Sequence, residues 1–207
     1  NGGIPAFKGY NGFPNTLCIS PNEQVVHGIP DYSIIENGDI VSIDCGVYMN
    51  GVYGDSAYTY PIGEVNKEAQ NLLEVTKQSL YKGIENCIEG NYIGDIGYAI
   101  QNYVESNGMS VVRELVGHGI GKDLHEGPEV PNYGEKGSGE ILKIGMALAI
   151  EPMVNFGSKN IMQHSDGWTI TTADKKKSAH FEHTVIVGRN EAEILTSFKN
   201  IESQLYG

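Results

Sequence analysis

The segment GMALAIEPMVN, residues 145 to 155, sets one carboxylate, Glu151, in the middle of an apolar run. A run that is apolar at successive positions reads as a strand, Met146 to Val154, buried on both faces. An ionised carboxylate taken out of water without a partner is very costly. Glu151 therefore needs a partner if its strand is buried, or an edge position with the acid in water. Asp44, inside IVSIDCGV, makes the same demand, because Asp is depleted in strands. Glu182 repeats it inside AHFEHTVIV, and Asp55 stands in VYGDSAYTY. An edge strand with its acid in water accounts for any one of these, least well for Glu151. A shared cation site accounts for all four.

Ile40 to Tyr48 and Val52 to Tyr60 are rich in β-branched and aromatic residues, and Asn50-Gly51 between them is a strong hairpin signal. A two-residue turn there pairs Met49 with Val52, Asp44 with Ala57 and Asp55 with Gly46. Asp44 and Asp55 then share a face as diagonal neighbours, with Cβ atoms roughly 7–8 Å apart. Two carboxylates so placed clasp one cation, or bridge two ions about 3.5–4 Å apart.

The segment VGHGIGKDLHEGPEV, residues 116 to 130, adds His118 and His125 among glycines. The spacing alone leaves open whether both, one or neither binds metal. The glycines read as close backbone approach, and GxGxG at Gly117, Gly119 and Gly121 is not the dinucleotide fingerprint. Four converging carboxylates need at least two divalent ions, or repulsion protonates some of them. Carboxylates favour hard ions such as Mn²⁺, while an imidazole brings in Fe, Co or Zn. Thiolate sets and HExxH are absent from the sequence, which disfavours a structural zinc site or a zincin.

Elsewhere the patterning predicts strands at Thr16 to Ser20, Glu23 to His27 and Ser110 to Leu115, and a final hairpin of His180 to Val187 with Glu193 to Thr196. A helix is expected over Lys67 to Asn86, with Leu72, Leu73, Thr76, Leu80 and Ile84 on one face. A second, capped by Asp95, carries Ile96, Ala99, Ile100, Tyr103 and Val104. VESNGMSVV and NGGIPAF both place an extended segment after Asn-Gly, as two copies of a helix-then-strand unit would, the first without its helix. These elements describe an α/β (α+β) chain with one domain over residues 1–207.

The net charge of −12 disfavours direct nucleic-acid binding. No apolar run approaches the roughly 20 residues that span a bilayer, and no secretory leader is visible. Cys18, Cys45 and Cys87 lack CxxC spacing and read as free thiols of a cytoplasmic protein. His164 reads as a loop residue, and ADKKKSA as a solvated basic loop. His183 alternates with Glu182 and points away from it, whereas His180 shares the face of Glu182 without a motif that makes it a ligand.

Five motifs in order, HGIPD (27–31), SIDCGVYMNGVYGD (42–55), GHGIGKDLHEGPEV (117–130), AIEPMV (149–154) and FEHTV (181–185), resemble the methionine aminopeptidases of the bacterial, type I kind. The resemblance covers essentially the whole chain. It implies the pita-bread fold, two pseudo-symmetric halves forming an antiparallel curved sheet covered by helices. It also implies two divalent ions, of Co, Mn, Fe or Zn, held by Asp44, Asp55, His118, Glu151 and Glu182. Asp55 and Glu182 would be shared between the ions, Glu151 and His125 would be catalytic, and His27 and His125 would contact substrate. The methionine pocket would be lined by Phe7, Tyr10, Phe13, Cys18, Leu124 and Trp168.

The implied reaction is removal of the N-terminal methionine from nascent peptides and proteins by water activated on the two metals. Its partners would be chain N-termini beginning with Met, at the ribosome among other places, with no nucleic acid or membrane bound and the enzyme a monomer. The family has some tens of residues, including a long helix, before the position matching Asn1, so the sequence reads as N-terminally truncated. Phe7 and Leu124 stand where other side chains are common in the family. No long insertion separates the later motifs, which disfavours the type II branch. The alternatives are an Xaa-Pro aminopeptidase or dipeptidase of the same fold, a pita-bread binding protein without catalysis, and a two-metal phosphoesterase, for which no basic phosphate clamp is evident.

Overall fold

The computed structural model describes residues 2 to 206, so Asn1, the first residue of the NGGIPAF echo, lies outside the described residues. The chain opens with β1 (Ile4–Pro5), a 3-10 turn (Tyr10–Gly12), β2 (Cys18–Pro21) and β3 (Gln24–Val26). β4 (Ile40–Asp44), β5 (Val47–Met49), β6 (Val52–Gly54) and β7 (Ala57–Pro61) follow, then α1 (Lys67–Ile84) and α2 (Ile93–Ser106). The rest is β8 (Ser110–Val111), β9 (Gly117–Gly119), β10 (Glu126–Val130), β11 (Ala147–Ile150), β12 (Met153–Asn155), β13 (Ile161–Gln163), β14 (Ile170–Thr172), β15 (Ser178–His180), β16 (His183–Ile186), β17 (Glu193–Ile194) and α3 (Lys199–Tyr206).

The strands form antiparallel sheets of order β2-β4-β7, β1-β5-β6, β15-β12-β8, β13-β14-β3 and β10-β9-β11-β16-β17. The hairpin register is the one that the Asn50-Gly51 turn requires. Asn50 and Gly51 have φ of 53° and 89°, the left-handed values of a type I′ turn. Met49 pairs with Val52, and Asp44 with Ala57. The two long strands are nevertheless each cut in two, at Cys45-Gly46 and at Asp55-Ser56.

The same interruption recurs at the other acids. The expected strand Met146 to Val154 is divided by Glu151-Pro152, so that β11 pairs with β9 and β16 while β12 pairs with β15 and β8. Pro152 has no N–H for a ladder, which is a physical reason for the break. Phe181-Glu182 likewise separates β15 from β16. Asp55, Glu151 and Glu182 thus stand at joints where the chain leaves one sheet for another, and Asp44 is the last residue of β4. In an unbroken ladder a side chain must stand roughly perpendicular to the sheet. A joint lets the backbone re-aim one, as a bulge does.

α1 and α2 pack on each other and against β8, β10, β11, β12 and β15. Asn66 caps α1 by accepting from the Ala69 N–H at 2.9 Å. Asp95 is not the cap of α2: it sits in the first turn, where its carboxylate accepts the N–H of Tyr92 at 2.8 Å and that of Gly137 at 2.9 Å. The apolar faces bury Leu72, Leu80, Ile96, Ile100 and Val104 against Leu148, Ile150, Phe181 and Phe198. Each such side chain contributes about 1.5–3 kcal/mol. That core fixes β11, β15 and β16, and with them the joints that carry Glu151 and Glu182. No described helix is long and apolar enough to cross a membrane.

Candidate active site

His118 is the middle residue of β9, between β10 and β11. A Cβ on Gly117 would lie 2.3 Å from the Ala149 carbonyl oxygen, and one on Gly119 would lie 2.3 Å from that of Gly127. The glycines on either side of His118 are therefore what lets three strands close around it. Gly119→Ala is expected to force β9 and β10 apart, costing about 1–3 kcal/mol of stability in urea unfolding and lowering metal affinity in calorimetry. Unchanged values for both would refute this reading.

The His118 ring is fixed by its own strand. Its Nδ1–H donates to the Gly119 carbonyl at 2.8 Å, an assignment from geometry that leaves the Nε2 lone pair free. Nε2 lies 3.5 Å from Oε1 of Glu151. Burial lowers the imidazole pKa to about 4, so the ring is neutral and able to ligate at pH 7.

The acids are drawn together by the joints. The Asp55 N–H donates to the Thr184 hydroxyl at 2.9 Å, and that hydroxyl donates to the Asp55 carbonyl at 2.8 Å. The Glu182 N–H donates to the Ala57 carbonyl at 2.9 Å, and the Ser56 hydroxyl to the Glu182 carbonyl at 3.2 Å. Asp55, His118 and Glu182 each offer a ligand atom within 4.8 Å of the others. Asp55 is 4% and Glu182 2% exposed, while Oδ1 of Asp44 is buried with no hydrogen-bond partner.

Burial, with the charges of Asp55 and Glu151, pushes Asp44 well above the usual carboxylate range. Burial does the same to Glu151 and Glu182, with neighbouring acids adding to it. Asp55 is pushed up to about 7 by burial. Among the described residues, no lysine or arginine ion pair reaches any of the four; the pairs of Glu151 are to imidazoles only. A neutral imidazole nitrogen, an orphaned buried carboxylate oxygen and four repelling acids fit divalent cations.

This centre is one end of a cavity of about 250 Å³. All thirteen residues singled out in the sequence line it: Phe7, Tyr10, Phe13, Cys18, His27, Asp44, Asp55, His118, Leu124, His125, Glu151, Trp168 and Glu182. Phe13 stands edge-on to Phe7 and to Trp168, with centroids 6.5 and 5.1 Å apart, and forms an apolar wall with Leu124. Cys18 pairs with Asp44 across β2 and β4; burial and then the nearby acids push its thiol pKa far up, so it stays a thiol. The His125 ring stands edge-on to that of His118, centroids 4.2 Å apart, and its Nδ1 is 2.7 Å from the Tyr10 hydroxyl. The His27 ring stands 6.4 Å from Trp168. Burial lowers the pKa of both His27 and His125.

His183 is turned away, its ring 3.8 Å from Phe198 and its Nδ1 3.0 Å from Thr196. His164 lies 3.1 Å from Thr171, outside the cavity. Two residues near the centre went unassigned in the sequence. Asn11, in the left-handed region at φ 47°, lines the cavity, and no sequence signal pointed to it. His180 approaches Glu151, and only its strand parity with Glu182 hinted at this.

The sequence model of metallopeptidase family M24 matches residues 2–189. Methionine aminopeptidase 1 of Bacillus subtilis is 53% identical over 195 residues, which are 94% of this chain and 79% of that protein. The Escherichia coli methionine aminopeptidase is 44% identical over 198 residues, 95% of this chain and 75% of that one. The crystal structure of methionine aminopeptidase from Rickettsia prowazekii superposes with a TM-score of 0.93 at 46% identity, covering 94% of this chain and 79% of that one. A prolidase from Pyrococcus horikoshii, at 23% identity and a TM-score of 0.70, shares the fold alone.

Proposed function

This chain belongs to metallopeptidase family M24, among the methionine aminopeptidases with their pita-bread fold, and on that premise we propose how its centre removes an N-terminal methionine. It is a metal-dependent hydrolase whose substrates are peptides and proteins that begin with methionine. Asp44, Asp55, His118, Glu151 and Glu182 hold two divalent ions, of Mn, Fe, Co or Zn, in one catalytic domain. The observation that carries this reading is the convergence of four buried acids and one neutral imidazole at the end of an aromatic cavity. When bound, the ions supply Lewis acidity, lowering the pKa of a water and polarising the scissile carbonyl.

The chain's own groups supply the rest. Phe7, Phe13, Leu124 and Trp168 receive the methionine side chain, whose thioether packs well on rings. Tyr10 and Cys18 complete the pocket. Glu151 takes the proton of the attacking water and returns it to the leaving amine. His125, with Nδ1 held by the Tyr10 hydroxyl, donates from Nε2 to the oxygen of the tetrahedral intermediate. His27 donates to the backbone of the departing peptide. Such substrates are newly made chains at the ribosome, and free thiols at Cys18, Cys45 and Cys87 suit the cytoplasm. The enzyme works as a monomer, without nucleic acid or membrane.

Metal analysis combined with cleavage assays tests this. Two ions per chain and release of Met from Met-Ala-Ser are expected. Hydrolysis of Ala-Pro in preference to Met-Ala-Ser would refute the methionine reading.

A further inference from the structure

His180 is a buried side chain that this mechanism leaves unused. It ends β15, is 2% exposed, and its Nε2 has no hydrogen-bond partner. An unsatisfied buried donor is costly, and its neighbours in sequence, Ala179 and Phe181, belong to the apolar core. Thr59 holds the residue from both sides. Its hydroxyl donates to the His180 carbonyl at 2.7 Å, and the His180 N–H donates to that hydroxyl at 2.9 Å. The Ser42 and Thr59 hydroxyls lie 2.9 Å apart, extending the clamp to β4.

The ring on this clamped backbone faces Glu151. Nε2 of His180 lies 3.8 Å from Oε2 of Glu151, while Nε2 of His118 lies 3.5 Å from Oε1. Each carboxylate oxygen thus faces a different imidazole. The Glu151–His180 gap exceeds a hydrogen bond by less than about 1 Å, and a small side-chain rotation closes it.

We propose that His180 is a positioning residue for Glu151: its Nε2–H donates to Oε2 of the ionised carboxylate and fixes the rotamer that presents Oε1 beside His118. This rests on the reading above, in which Glu151 is both a metal ligand and the proton carrier. Outer partners of this kind orient ligands, and losing one typically costs 10–100-fold in metal affinity or activity.

Three variants separate positioning from packing. His180→Gln keeps an N–H donor at a similar reach. His180→Met fills the space without a donor, and His180→Asn keeps the polarity but is too short. Each is titrated calorimetrically with Mn²⁺ alone and assayed on Met-Ala-Ser at saturating Mn²⁺. The Met and Asn variants are expected to bind Mn²⁺ about 10–100-fold more weakly, with kcat reduced and KM little changed, and the Gln variant to stay near wild type. Wild-type affinity and kcat in either the Met or the Asn variant would overturn the proposal. Equal losses in all three, matched by equal falls in Tm, would overturn it in favour of packing. If wild type bound Mn²⁺ but released no methionine, the peptidase reading would fail. A Mn²⁺ defect confined to Met and Asn would then still uphold the contact.

Discussion

His118→Ala is expected to abolish tight metal loading and, with it, turnover of Met-Ala-Ser. The residue supplies the one neutral imidazole nitrogen that faces Glu151 from β9, with its tautomer fixed by the Gly119 carbonyl. Losing a partner behind a ligand costs 10–100-fold, so losing the ligand itself should exceed that range. His125→Ala is the matched control. Its ring lies 4.2 Å from that of His118, yet its Nδ1 is engaged by Tyr10 rather than by the carboxylate cluster. Metal content should stay near wild type while kcat falls on the order of 10²–10³-fold, the range for one lost oxyanion donor. Metal analysis of the two purified variants decides the matter. If His125→Ala loses an ion while His118→Ala keeps the full complement, the roles are reversed.

The division of labour between these two histidines was legible only through the family motifs. Their spacing left both readings open. The carboxylates were legible from chemistry alone, because Glu151 in GMALAIEPMVN and Asp44 in IVSIDCGV have no cheap structural explanation. Asn50-Gly51 fixed a register that persists from Met49↔Val52 through the interruption to Asp44↔Ala57. The interruptions themselves were not read. Alternation continues through Cys45-Gly46 and Asp55-Ser56, so periodicity shows no gap there. At Glu151-Pro152 the proline was a visible signal, but the apolar run on both sides argued for one strand. The contact of His180 with Glu151 depends on β12 pairing with β15, which joins segments 25 residues or so apart and which local patterning does not encode. Asp95 marked the right end of α2 but the wrong position in its first turn.

The second large effect is on stability. In the metal-free protein, Asp44, Glu151 and Glu182 are held well above the usual carboxylate range and Asp55 at about 7, burial being the first cause for all four. A carboxylate whose folded pKa is raised binds more protons in the folded chain than in the unfolded one. Its contribution is therefore favourable at low pH and is lost as pH rises towards the folded value. The buried histidines act in the opposite sense. His118 and His183, lowered to about 4, His180, lowered to about 3, and His27 and His125, also lowered by burial, add stability as pH rises through the unfolded value of about 6.5 and little beyond about 7.5. The clean window for the acids is therefore about pH 7.5 to 8.5. Each acid still protonated in the folded chain there loses about 1.4 kcal/mol per pH unit, against the roughly 5–15 kcal/mol that holds a domain folded, whereas Asp55, at about 7, has lost most of its contribution below the window. Metal ions reverse the balance, because they bind the ionised acids of the folded chain. Each saturated site adds about 2.7 kcal/mol at one hundred times its dissociation constant. Urea unfolding of chelator-treated protein should thus show a midpoint that falls from about pH 7.5 to 8.5. With excess Mn²⁺ the midpoint should hold or rise, so that the two curves diverge towards the alkaline end. A metal-free midpoint that stays level across that window would mean that the four acids do not face one another in a common buried centre.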